Sequence, residues 1–468
     1  SIRARVLRDH GAGTGLVDPS RGRSPPATVG VHGDRSWIFP ARAGREVTEA
    51  STLHRALVDE LVRCGHIASA SVEAAFRAVP RHLFLPDVPL EDVYRDQVVV
   101  TKMVDGQAVS SSSQPQIMAI MLEQLGLMPG QRVLEIGAGT GYNAALMAHI
   151  VGEAGLVVSM DIDEDLVKGA RRHLAAAGFG HVRVVAGDGG FGHPAGAPYD
   201  RIILTVGAWD VAPAWSEQLG PGDARLVLPL TVGGVQKSVA FERANGHLVS
   251  VSVTACVFMP LGGACAGPGR RVPLGPEPGL DLWVGDHAEI DASATYALLR
   301  GPRRDIAAGI RVTSREVYGG LIPWLAFNEA GFCWLQATGQ ASGESPVPDL
   351  FGWAGTYRST AGVCDGASAC FLMRPPDAPI PAEQAPDPPP FELFVRGFGD
   401  DAPTRRVLER VGAWEARGRP GTEGLRVRAY PMGVVHGPLP DEIVVPKRWN
   451  RLVLDWPGHA GRRASAPR

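Results

Sequence analysis

Glycines recur at Gly137, Gly139 and Gly141 in "VLEIGAGTGYNAA", directly after an apolar run. Alternating glycines let a backbone pass close to a ligand, and the amides opening the next helix point at it. Two carboxylates follow at matching places, Asp161 ending "GLVVSMDID" and Asp188 in "AGDGG". The first suits ribose hydroxyls, and the second suits an adenine amino group or its water shell. The spacing is G-x-G-x-G, not the G-x-G-x-x-G that accommodates a pyrophosphate. An adenosine site with two carboxylates and no phosphate cradle fits S-adenosylmethionine. A bare strand–helix turn with capping aspartates accounts for each feature singly, but not for all three in register.

A second stretch, "DGQAVSSSSQPQIM" at 105–118, places Ser110, Ser111, Ser112 and Ser113 ahead of a Gln-Pro pair. Ser113 stands where a helix N-cap belongs, and Pro115 falls in the first turn, where its missing N–H costs nothing. Ile117, Ile120, Met121 and Leu125 continue the helical spacing and Gly126 closes it. The same hydroxyls could also orient an anion. A side-chain carboxylate has a pKa of about 4 and is ionised at neutral pH, so its alkylation needs no general base. It needs in-line positioning and partial desolvation. Hydroxyl donors orient such an anion without neutralising it, whereas a Lys or Arg pressed on it dulls its attack. The loop carries no basic residue, which suits this chemistry. Ser112 and Ser113 are the candidate catalytic residues.

The elements that must position these residues are legible as period and punctuation. "RVLEIG", "GLVVSMDID", "VRVVAGD", "DRIILTVGA" and "GDARLVLPL" are apolar runs that alternate with helical segments over 142–150 and about 164–177. Strands buried on both faces and alternating with helices predict a doubly wound α/β sheet, mostly parallel, with helices on either side. "VQKSVAFER" and "HLVSVSVTACVFMPL" predict an antiparallel hairpin added to it. Upstream, helices are expected from Thr52 to Gly65 and from Ser71 to Val79. Residues 1–45 read as an irregular arm, and residues 374–390 as a proline-dense linker or surface loop. "FELFVRGFG" and "LRVRAY" alternate like strands around a helix over 403–416. The expected division is an arm (1–45), a methyltransferase domain (46–263) and a C-terminal α+β accessory domain (264–468).

Composition narrows the partners. The 468 residues carry a net charge of −3 with both signs scattered, and 45% are hydrophobic. No basic stripe argues for nucleic acid, and no run of about 18 apolar residues argues for a membrane span. The strand ending at 205 continues as "VGAWDVAPAW", not the Asn/Asp-Pro-Pro-aromatic loop of base amino-methyltransferases. Six cysteines without a CxxC, and histidines without zinc-ligand spacing, argue against a metal and for free thiols in a reducing cytoplasm.

The order of features resembles protein L-isoaspartate O-methyltransferases. The resemblance covers roughly residues 50–263 through "AVPRHLFLP", "GQAVSSSSQP", the cofactor glycines, "GDGGFGHPAGAPYD", "QLGPGDARLVLPL" and "CVFMPL". It implies a class I methyltransferase fold with S-adenosylmethionine as donor and S-adenosylhomocysteine as product. The cofactor set is then Glu135, Gly137, Ala138, Gly139, Thr140, Gly141, Asp161, Ile162, Gly187, Asp188, Gly189 and Thr205. Ser113 matches the serine that touches the substrate carboxylate and the methyl donor, and Ser110, Ser111, Gln114, Val206 and Met259 complete the substrate side. The loop is longer than in the family and serines replace its Thr-Ile, which implies a different pocket.

The part beyond 263 resembles extended variants found beside clusters for ribosomally made peptides in actinobacteria, in the serine-rich loop, "GFCWLQ" and "RLVLDWP". That resemblance implies esterification of an ordinary aspartate in a cyclised precursor peptide, leading through aspartimide to isoaspartate. Repair methylation of isoaspartyl proteins is the alternative. A third reading, a cofactor-binding peptide chaperone without catalysis, is weakened by the intact glycine–carboxylate set.

Overall fold

The computed structural model describes residues 40–276, 279–285, 290–338, 350, 357–375, 389–437, 439 and 441–459. Most of the expected arm at 1–45 and of the proline-dense stretch at 374–390 therefore lies outside the described residues. Two helices come first, α1 (Pro40–Arg63) and α2 (Ala70–Ala78), and then a single turn α3 (Leu90–Val93). A hairpin of β1 (Val99–Val104) and β2 (Gln107–Ser112) leads into α4 (Pro115–Leu125). The alternating part follows as β3 (Arg132–Ile136), α5 (Tyr142–Val151), β4 (Leu156–Asp161), α6 (Glu164–Ala176), β5 (Arg183–Ala186) and β6 (Arg201–Leu204). It closes with β7 (Arg225–Val232), β8 (Val235–Ala244) and β9 (His247–Ala255).

The apolar runs become buried strands. Val133, Leu134, Val158, Ile202, Leu204, Leu226, Val227 and Leu228 are all essentially inaccessible to solvent. β3 pairs in parallel with β4 and β6, β4 with β5, and β6 with β7, while β8 and β9 add antiparallel. This is the expected doubly wound sheet with its added hairpin.

A second sheet holds β10 (Arg270–Pro273), β11 (Leu280–Val284), β12 (Arg303–Val312), β13 (Phe332–Thr338), β14 (Tyr357–Cys364), β15 (Ala369–Met373) and β16 (Phe391–Phe398). Its order is β10-β11-β13-β14-β15-β16-β12, antiparallel throughout. The helix Ala402–Ala416 buries Val407, Val411 and Trp414, spaced to share one face.

The last strands do not stay with this second sheet. β17 (Arg426–Pro431) pairs with β9, and β18 (Ile443–Pro446) and β19 (Asn450–Asp455) extend from it. The large sheet thus runs β18-β19-β17-β9-β8-β7-β6-β3-β4-β5. A boundary at 263 does not separate two independent bodies, because residues 426–455 hydrogen-bond into the first sheet. One face of that sheet packs on α1, α2, α4 and α5, with Phe76, Leu122 and Leu146 at its centre. The other face shares a continuous core with the C-terminal part, from Trp215 and Phe241 to Trp324, Trp414 and Leu454.

Candidate active site

The glycine turn is built as a cradle. Gly137 and Ala138 both donate to Met160 O, at 2.8 and 2.9 Å, which ties the loop to the end of β4. Gly137 has φ +104° and Gly141 +88°, both disfavoured for residues with a side chain. A methyl group built on Gly137 would stand 2.5 Å from Thr205 Oγ1. Thr205 itself donates to Gly137 O at 2.6 Å. Ala138 and Thr140 are buried inside the turn. A backbone this free of side chains, opening a helix, fits the adenosyl donor.

Asp161 stands at the rim. Its Oδ2 accepts from Gly139 N at 3.0 Å and its Oδ1 from Asp163 N at 3.1 Å. Burial raises its carboxyl pKa, and these amides oppose the rise. Beside it Ile162 is 55% exposed, an apolar side chain just past the strand end. Gly187 donates to Asp161 O at 2.9 Å, and Gly189 packs so closely on Ile136 that a methyl group would meet it at 2.3 Å. Asp188 accepts from Gly190 N at 2.8 Å and from Ala264 N at 2.7 Å. Both its oxygens serve backbone turns, so in this structure it ties the 188–190 turn to residue 264.

Glu135 departs from its expected place. It is fully buried beneath the loop, accepting from Asn143 Nδ2 at 2.8 Å and from Ser159 Oγ at 2.5 Å. It braces β3, β4 and α5 and does not face the cleft. Burial pushes its carboxyl up to about 7 from 4.5. The folded chain therefore holds this proton more tightly than the unfolded chain, and stability falls as pH rises through that window. A Glu135→Gln chain is expected to gain on the parent between pH 5 and pH 8, by about 3 kcal/mol at most. Urea midpoints at the two pH values measure it, and a difference independent of pH contradicts it.

The serine loop approaches the cradle from the other side. A methyl group built on Gly139 would lie 3.7 Å from Ser111 O, so the two loops abut. Ser110 is buried and bonds Thr101 Oγ1 across the hairpin at 3.0 Å. Ser113 is not the helix cap. Gln114 holds that position without a side-chain cap bond, and Pro115 opens α4. Asp96 caps the helix from outside, accepting from Gln116 N and Gln114 Nε2, each at 2.8 Å. The Ser113 hydroxyl is thereby released from capping, and it has no hydrogen-bond partner among the described residues. Val206 and Met259 are brought together at the segment that follows β6. Gly207 N donates to Met259 O at 2.7 Å, and Val206 would touch a methyl group on Gly137 at 3.1 Å.

Behind the serines lies a cation that the loop's own composition did not suggest. Arg81 is wholly buried. Its guanidinium donates to Val93 O, Gln97 O, Ser112 O, Ser112 Oγ and Ser113 O. Burial lowers its pKa to about 10, so it remains charged at neutral pH. Ser112 is turned inward onto it, and of the two candidate catalytic serines it is Ser113 whose hydroxyl has no partner among the described residues. The charge is spent on four backbone carbonyls and the Ser112 hydroxyl beneath the loop. The signal was present as an arginine within the apolar "AVPRHLFLP". Lys102, opposite Ser110 in the hairpin register, adds an ion pair to Asp163 at 2.5 Å and straps the serine strand to the Asp161 turn. Among the described residues no His, Cys, Asp or Glu group has metal-site geometry, all six cysteines are free, and no helix is long and apolar enough to cross a membrane.

Known proteins share this arrangement in sequence. The sequence model of the Protein-L-isoaspartate(D-aspartate) O-methyltransferase family matches residues 52–266. The chain is 40% identical over 198 residues to a protein-L-isoaspartate O-methyltransferase of Thermotoga maritima, covering 42% of this chain and 62% of that one. It is 39% identical over 239 residues to that of Hyperthermus butylicus, covering 49% of this chain and 92% of that one. A solved protein-L-isoaspartate O-methyltransferase structure aligns with 80% of this chain and 96% of its own at 25% identity and a TM-score of 0.45. With nearly the whole Hyperthermus enzyme matched, and with glycine cradle, rim carboxylate and serine loop all in the matched part, the chain belongs to the protein-L-isoaspartate O-methyltransferase family, S-adenosylmethionine-dependent carboxyl methyltransferases.

Proposed function

We propose that the chain methylates the free carboxylate of an isoaspartyl residue in a polypeptide. The observation carrying this reading is the contact of the serine loop with the glycine cradle at Ser111 and Gly139. It sets an acceptor loop against a donor site without an intervening base. S-adenosylmethionine, held by residues 137–141 and Asp161, supplies an electrophilic methyl on a sulfonium. The residues of the chain orient and desolvate. The Ser113 hydroxyl donates to one carboxylate oxygen and leaves the other to attack. Arg81 holds the Ser112 and Ser113 carbonyls inward, which aims that hydroxyl at the cleft. No proton transfer is required, since an exposed carboxylate is ionised at neutral pH.

The isoaspartyl acceptor takes precedence over the cyclised-peptide acceptor because the matched relatives carry the former activity in their names. The hairpin that lengthens the serine strand and the seven-stranded sheet after 263 are what favour the second reading. A matched trio of acceptors decides between them: a linear isoaspartyl peptide, its aspartyl isomer, and a cyclised aspartyl peptide. Methyl transfer to the first alone is the expected result, read by mass. Transfer to the cyclised peptide alone overturns it. Ser113→Ala is expected to lower kcat/KM about 10- to 100-fold with the affinity for S-adenosylmethionine retained. Ser112→Ala is expected to act mainly on stability, by about 1 kcal/mol. Equal kinetic losses in the two variants contradict these roles.

A further inference from the structure

We propose that the tight turn between β18 and β19, residues 446–450, sets the acceptor-side wall of the active site, with Asp210 and Asn450 as positioning residues for methyl transfer. The proposal deepens the carboxyl-methylation reading and rests on it.

The wall is the segment 205–211, which leaves the carboxyl end of β6. Its first residue, Thr205, is bonded to the cofactor loop through Gly137 O. Its middle is held between β7 and the segment 259–261. Gly207 N donates to Met259 O at 2.7 Å, and Leu261 N donates back to Gly207 O at 2.8 Å. Ala208 N donates to Pro229 O at 2.7 Å, and Thr231 N donates to Ala208 O at 2.8 Å. Its far end is held by a segment about 240 residues away in sequence. Asp210, 2% exposed, accepts from Trp449 N at 2.6 Å, from Asn450 N at 3.3 Å and from Asn450 Nδ2 at 2.8 Å. Asn450 Nδ2 also donates to Val211 O at 2.6 Å.

The turn grips more than Asp210. Lys447 Nζ donates to Thr231 O at 3.2 Å and stands 4.5 Å from the centre of the Trp209 ring. The buried Trp209 indole nitrogen has no acceptor among the described residues, and the cation and Gly267, packed on Trp209 Cβ, hold that ring. Arg448 donates to Ala264 O at 3.4 Å, in the residue whose N–H holds Asp188. One short turn therefore reaches both the acceptor wall and the adenine-side turn. A buried carboxylate is a costly way to gain mere adhesion, and apolar packing serves that end better. What three directed N–H donors from the turn supply is geometry. In a reaction without acid or base, in-line placement is most of the catalysis, and an error of about 1 Å costs on the order of a hundredfold.

The test sets two carboxylates face to face and then relieves them. In the full chain, Asn450→Asp is expected to raise KM for an isoaspartyl peptide about tenfold, with the Kd for S-adenosylmethionine within about twofold of the parent. The exchanged pair Asp210→Asn with Asn450→Asp is expected to return KM to within about threefold. Hydrogen exchange gives a readout that needs no acceptor. In Asn450→Asp the amides of Gly207 and Leu261 are expected to exchange at least about tenfold faster, while those of β3 and β4 keep their protection. Circular dichroism confirms that each variant folds. An Asn450→Asp chain with unchanged KM and a lowered Tm overturns the proposal, as does faster exchange confined to residues 446–450. Should the parent methylate no isoaspartyl peptide, the functional reading falls, and the exchange pattern still decides whether the turn governs the wall.

Discussion

An Arg81→Lys chain is expected to lose methyl transfer by about 100-fold while keeping its affinity for S-adenosylmethionine within about threefold. The planar guanidinium donates to carbonyls on α3, on the segment before β1, and on both residues at the end of the serine strand. An ammonium offers three donors about one point and cannot span that fan. Residues 112 and 113 then lose their inward anchor, and the Ser113 hydroxyl loses its aim. The cradle is unaffected, because its ties run to Met160, Asp161 and Thr205. Arg81→Ala is expected to go further. It leaves five acceptors short of their donor and opens a cavity, at a cost of about 3 kcal/mol or more. Single-turnover rates, calorimetry of cofactor binding and urea midpoints separate the two outcomes. Parallel loss of cofactor binding and rate in the lysine variant contradicts the assignment.

The second large effect is expected at Gly137. Gly137→Val places Cβ where Thr205 Oγ1 and Val206 already stand, at a φ that side chains avoid. Backbone strain of this kind costs about 1–3 kcal/mol. The clash falls on the loop that must lie along the ligand, so the Kd for S-adenosylmethionine is expected to rise at least about 100-fold. Gly139→Ala is the internal control. Its φ of +51° lies in the left-handed region, and the added methyl meets Ser111 O at an ordinary 3.7 Å. Its binding loss is expected to stay within about tenfold. Calorimetric titration of both variants checks the ranking, and a reversed order contradicts it.

The parallel strands were legible because burial on both faces writes itself as unbroken apolar runs ending in glycine or aspartate. The antiparallel pair β8 and β9 and the helix Ala402–Ala416 were legible from local period for the same reason. The features without a local signature are non-local. Arg81 and Asp96 act on the serine loop and its helix from 18 to 32 residues away, Lys102 ties its strand across to α6, and no period marks such partners. The expected Ser113 cap failed because Asp96, a remote carboxylate, satisfies the helix amide first. The family resemblance sets Glu135 on the ligand side, yet strand alternation turns it under the glycines. The return of residues 426–455 to the first sheet was invisible because strand pairing depends on which edge lies free, not on the strand's own letters.

That return has a consequence for how the chain is made. β9 emerges from the ribosome long before β17, which covers its edge through Val249 and Leu248. At about 5–20 residues per second, that edge stays bare for on the order of 10–30 s while the intervening sheet is translated. A nascent chain in this interval offers an open ladder to its neighbours on the same polysome, the situation that invites intermolecular strand exchange. Yield on expression is therefore expected to depend on elongation speed through 256–425 more than on the folded protein's own stability.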